Sequence, residues 1–144
     1  MPQLAEFEGA WRLERRVRHG DGTEAMFTGI ARFSADGDGL MLHEAGEMRI
    51  AGQGAFRAER SYRWSVAGGR IAVWFDDGRF FHAFDPLATH PEAGHDCAPD
   101  RYDVAYDFSD WPRWRAVWRV RGPRKDYELS SQYSREADDL DPMA

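Results

Sequence analysis

From Trp11 almost to its end the chain alternates apolar and polar residues with a period of two. That period sends successive side chains to opposite faces of a strand. Trp11, Leu13, Arg15 and Val17 alternate with Arg12, Glu14, Arg16 and Arg18. The turn His19-Gly20-Asp21-Gly22 then leads into Phe27, Gly29, Ala31 and Phe33, which share one face. Gly29 and Ala31 fit a sharply curved wall or a close approach from inside. A third strand sets Leu40, Leu42, Glu44, Met48 and Ile50 in one register, and a fourth does the same for Phe56, Ala58, Arg60, Tyr62 and Trp64. Ile71, Val73 and Phe75 make a fifth. Asp77-Gly78 is a two-residue hairpin signal, and Phe80 to Phe84 the returning strand.

Beyond Pro86 the composition changes to Ala, Thr, His, Pro and Gly. This predicts a polar loop over Leu87 to Pro99, longer than ordinary hairpin loops, lying across the mouth of the fold. Alternation resumes at Tyr102, Val104, Tyr106 and Phe108, again at Trp114, Ala116, Trp118 and Val120, and last at Tyr127, Leu129, Ser131 and Tyr133. The stretch before Gly9 is too short for an independent helix, but Leu4 and Phe7 suit one helical turn laid as a plug over an end.

The expected fold is therefore all-β. It is an antiparallel up-and-down barrel of about nine strands with a short N-terminal helical turn, since closure removes the edges that an open meander would expose. A two-sheet sandwich is the alternative. Residues 1–136 are expected to form this single domain, and 137–144 an acidic, disordered tail without a core pattern.

Composition narrows the function. A net charge of −6 gives no basic footprint for nucleic acid or an anionic membrane surface, so neither is an expected partner. Cys97 is the single cysteine, which excludes an internal disulfide. The first residues carry neither a basic start nor an apolar run, so a cytoplasmic location is expected. A homodimer is left open.

Gly9-Ala10-Trp11 at the head of the first strand resembles the Gly-x-Trp signature of lipocalins and their calycin relatives. Together with FTGIARF, ERSYRW, FDDGRFFHAFD, HDCAPDRYDVAYDF and GPRKDYELSSQYSR, it resembles a family of uncharacterised, mostly bacterial, lipocalin-like proteins over nearly the whole chain. The resemblance implies a calycin-like barrel and brings no established activity. It also implies a basic residue from the far end of the chain packed on the signature Trp, with Arg124 and Arg135 as candidates.

Polar residues in the apolar register are the candidates for chemistry, because an unpaired charge inside a barrel costs several kcal/mol. Arg15, Glu44 and Arg60 are three of them. One carboxylate between two guanidinium groups either braces the barrel or leaves positive charge for an anionic ligand. His82, read in register with Phe80 and Phe84, suits a general base, a ligand-holding group or a hydrogen-bonded core histidine. Tyr62, Tyr102, Tyr106, Tyr127 and Tyr133 add hydroxyls to the same wall, either as pocket lining or as plain packing. His90, His95, Cys97 and Asp100 are zinc-competent residue types, but their spacing matches no common signature, so no metal is expected and no cofactor is implied. Arg113, Arg115, Arg119 and Arg121 alternate with Trp114 and Trp118 and so lie on the opposite face, where neighbouring acidic residues account for them.

The reading reached is a barrel that binds a small anionic or amphipathic molecule through Arg15, Glu44, Arg60, Tyr62, His82, Tyr102 and Tyr106. A lyase or isomerase using His82 or a tyrosine, and a solid barrel acting as an interaction module, are the alternatives, so catalysis is left open. An interior cavity of about 300 Å³ or more would support the binding and enzyme readings, whereas the absence of any cavity above about one water would count against both.

Overall fold

The structure is a computed structural model that describes residues 2–135. The expected acidic tail at 137–144 lies outside them. A 3₁₀ turn at Leu4–Phe7 precedes ten strands: β1 (Gly9–His19), β2 (Glu24–Asp36), β3 (Gly39–Ile50), β4 (Gly54–Ala67), β5 (Arg70–Phe75), β6 (Phe80–Phe84), β7 (Glu92–Cys97), β8 (Asp100–Asp107), β9 (Trp114–Arg121) and β10 (Asp126–Ser134). All ladders are antiparallel, and the order is β6-β5-β4-β3-β2-β1-β10-β9-β8-β7. The first and last strands are zipped together from Arg12↔Ser134 to His19↔Tyr127, so the barrel is nearly closed and its seam falls between β6 and β7.

One more strand is present than the alternation predicts. Residues 92–97, expected in the polar loop, form β7 and pair with β8 from Glu92↔Ala105 to Cys97↔Asp100. Its half-buried positions are Ala93, His95 and Cys97, too small or too polar to mark a strand in the sequence. The predicted loop over the mouth is thereby reduced to the connection before β7, and that connection lies at the plug end.

The core is a box of rings. Phe7 from the 3₁₀ turn is fully buried and meets Trp111 at 5.0 Å, Trp64 at 5.2 Å and Trp114 at 5.3 Å between centroids. This turn is the expected plug. Of the two candidates for the signature Trp, the structure uses Arg135: its guanidinium lies 3.8 Å over the Trp11 ring and donates to the carbonyls of Glu6, Glu8 and Ala10. Trp11 Nε1 in turn donates to the Phe7 carbonyl at 2.8 Å. Plug, first strand and last strand are tied at one point.

At mid-barrel Gly29 of β2 stands opposite Gly46 of β3. A Cβ on Gly29 would run into the Ala45 carbonyl, and one on Gly46 into the Thr28 carbonyl. The close approach expected at Gly29 is thus backbone against backbone, and it leaves the inner surface of β2 nearly bare beside Ala31.

Candidate functional site

Arg15 on β1 is paired with Phe27 of β2 and Glu44 on β3 with Ala31, and the two meet on the diagonal across β2, where the inward residue between is Gly29. Arg15 reaches Glu44 at 3.0 Å, Arg60 Nε donates to Glu44 Oε1 at 2.8 Å, and the side chains of Arg15 and Glu44 are 6% and 2% exposed. Tyr133 Oη donates to Glu44 Oε2 at 2.8 Å and accepts from Arg15 at 3.2 Å, while Arg15 Nε donates to Ser131 at 2.7 Å. Burial alone would raise the Glu44 pKa, yet the two guanidinium charges and the bonds from Arg60 and Tyr133 hold it down at about 2. The carboxylate is therefore ionised, and the cluster carries one positive charge more than negative. Tyr133, one of the tyrosines expected on this wall, belongs to the network, and so does Ser131, which the sequence reading does not single out. Their signal was their shared register on the last strand.

Arg60 sits where the network reaches the barrel mouth. Its Nε is committed to Glu44, its guanidinium lies 4.6 Å over Trp118 and 5.3 Å over Tyr62, and its side chain keeps 31% exposure. Burial would lower its pKa, but the Glu44 charge more than offsets this and raises it. Among the described contacts no carboxylate or carbonyl takes its two Nη groups. Tyr62 and Trp118 lead from it into a cluster of rings with Phe75, Phe81 and Tyr102, Trp118 lying 5.0 Å from Phe81 and 5.7 Å from Tyr62. Tyr102 is on this rim, 5.5 Å from Phe81, and is not part of the ion network.

His82 departs from its expected setting. A bulge between β5 and β6 pairs Val73 with His82 and Trp74 with Phe80, so Phe81 and His82 both point inward and Phe80 is turned out against Trp74 at 5.2 Å. His82 is 1% exposed. Its Nε2 shares a proton with Tyr106 Oη at 2.8 Å, and its Nδ1 is buried without a hydrogen-bond partner. Burial, with a contribution from His95, lowers its pKa to about 3, so the ring is neutral. Its ring resonances should not titrate by NMR between about pH 5 and pH 8, and a midpoint near that of a free imidazole would show the site to be wet.

The interior beside Glu44, Tyr62, Tyr106 and Tyr133 holds a cavity of about 10 Å³, the room of one water. By the measure set above this part of the interior has no room for an enclosed ligand. The zinc-competent residues are not brought together either: His90 pairs with Asp107 at 3.3 Å before β7, whereas Asp100 pairs with Lys125 at 3.1 Å beyond it. Among the described residues no three His, Cys, Asp or Glu side chains cluster as metal ligands. None of the described helices is long and apolar enough to cross a membrane.

Comparison with known proteins places the sequence. The chain belongs to DUF6314, a family of unknown function whose model matches residues 7–135. No curated protein matches it. Among solved structures it is similar to the S-type phycobiliprotein lyase CPES from Guillardia theta, with a TM-score of 0.61 at 5% identity over 90% of this chain and 87% of that one. The likeness is one of fold.

Proposed function

We propose that the protein binds a small amphipathic anion at the barrel mouth. The carboxylate or phosphate of the ligand is taken by the Nη groups of Arg60, and its apolar body lies on Trp118, Tyr62, Tyr102 and Phe75. The observation that carries this reading is the fork of Arg60: it is anchored through Nε by buried Glu44, stacked on Trp118, and still exposed by nearly a third. A guanidinium held in place and stripped of part of its water binds a carboxylate in bidentate geometry at little further ordering cost. Arg15 and Glu44 hold Arg60 and do not meet the ligand. His82 and Tyr106 are sealed from the mouth, which favours binding over acid–base catalysis.

A panel of aromatic and aliphatic carboxylates followed by tryptophan fluorescence tests this. Arg60→Met should weaken the best binder by at least about tenfold, the scale of one charge-assisted contact, while Glu44 keeps Arg15 as its partner and the fold persists. If no member of the panel binds below about 1 mM, or if Arg60→Met leaves affinity unchanged, the reading fails. The second reading, a solid barrel that serves as an interaction module, is favoured by the 10 Å³ interior and would gain from that outcome.

A further inference from the structure

β4 is longer than its neighbour on one side. Its ladder with β3 runs from Gly54 to Trp64, but its ladder with β5 begins only at Tyr62. On that side no described strand pairs with residues 54–60, and the backbone donors and acceptors there form a bare edge at the mouth. Proteins commonly blunt such an edge with bulges, prolines or charged residues. This one has no proline or lysine, and its charges, Arg57, Glu59 and Arg60, are of both signs. It presents Phe56, which is 52% exposed, and a charge pattern that is complementary to itself.

In a two-fold antiparallel pairing of β4 with a second β4, one residue sits opposite its own copy on the axis, and the others pair symmetrically about it. Arg57 or Glu59 on the axis would set like charges face to face, which is destabilising. Phe56 on the axis would leave Arg57 against Ala55. Ala58 on the axis sets Arg57 against the partner's Glu59 and Glu59 against the partner's Arg57 on the outer face. On the inner face the same register sets Phe56 against the partner's Arg60. The neighbouring charges extend the pattern: Glu47 lies opposite Arg57 on β3, while Glu59 lies opposite the uncharged Ala45 and has His43 at 3.9 Å. Across the joint sheet Glu47, Arg57 and the partner's Glu59 therefore alternate in sign. Ala58 at the axis is small enough not to hold the strands apart. The Ala51-Gly52-Gln53-Gly54 turn is the part of β3–β4 that would lie by the partner's β5–β6 turn, and three of its four residues are Ala or Gly.

We infer that the protein forms a two-fold homodimer by pairing the free β4 edges from Phe56 to Arg60, with Ala58 on the axis. Each partner's Phe56 then lies beside the other's Arg60, which already lies on Trp118 and Tyr62, so the second copy adds an apolar wall to each mouth and leaves the Arg60 fork open. The pairing requires only the edge and its charges, and stands or falls independently of ligand binding.

Sedimentation velocity between about 10 and 500 µM, the range that reports modest affinities, should show mass rising from monomer to dimer. Arg57→Glu and Glu59→Arg are exposed changes that leave the fold intact, and each should hold the chain monomeric throughout by setting like charges opposite. Mixed in equal amounts, the two variants should form a heterodimer, because every cross-strand pair is then of opposite sign. A wild-type chain that stays monomeric overturns the inference. So do single variants that dimerise as the wild type does, or a mixture that fails to recover the dimer.

Discussion

Glu44→Gln should lower the unfolding free energy by about 3 kcal/mol or more, because it leaves the buried charge of Arg15 facing a neutral amide. Gln keeps the size of the side chain and one acceptor oxygen, so the loss is electrostatic and not a cavity. The pH dependence carries the same signature. The Glu44 carboxyl is depressed from 4.5 to about 2 in the folded protein. Its stabilising contribution is therefore fully present above pH 4.5 and is lost as pH falls toward 2. A shift of that size corresponds to about 3 kcal/mol. His82 acts in the same direction over a higher window. Its folded pKa of about 3 lies below the ordinary 6.5, so as pH falls from 6.5 to 3 the unfolded chain gains a proton that the folded one refuses. Wild-type stability measured by urea denaturation should decline through both windows. Glu44→Gln should start lower and lose the acidic part of the slope. A change below about 0.5 kcal/mol at neutral pH, the scale of a surface substitution, would mean that water reaches the cluster.

Arg15, Glu44 and Arg60 could be grouped from sequence because each falls on the apolar phase of a clean alternation, and the wall they share follows from parity alone. The remaining partners depend on what parity does not encode. Tyr133 and Ser131 reach Arg15 because β10 zips onto β1 across the whole length of the chain, and Trp118 reaches Arg60 across the barrel. The pairing of Arg135 with Trp11 is likewise a product of closure; sequence order alone left Arg124 equally eligible. β7 escaped because its inward residues, Ala93, His95 and Cys97, do not contrast with the outward ones. His82 shares its inward phase with Phe84, as the alternation predicts, but not with Phe80. The bulge opposite Val73 and Trp74 turns Phe80 outward, and a single extra residue of this kind leaves no mark in a short strand whose residues are nearly all aromatic.

Phe7→Ala should cost about 3–5 kcal/mol, the range for removing a buried phenylalanine, without weakening a ligand at the mouth. Its ring touches those of Trp111, Trp64, Trp114, Phe33, Phe108 and Trp11 at centroid distances from 5.0 to 6.4 Å, and it is fully buried. The backbone of the plug is held by other bonds: Trp11 donates to the Phe7 carbonyl, and Arg135 clasps the carbonyls of Glu6 and Glu8. Truncation therefore deletes the ring and leaves the turn in place, so the surrounding rings cannot collapse into the space and the loss falls toward the upper end of the range. Thermal and urea unfolding measure it; a loss under about 1 kcal/mol would mean that the tryptophans repack freely. Arg60→Met gives the opposite profile, with affinity reduced and stability largely kept, because Glu44 retains Arg15. If Phe7→Ala, studied where it is still folded, abolished carboxylate binding while Arg60→Met spared it, the ligand would belong to the plug end of the barrel and not to the mouth.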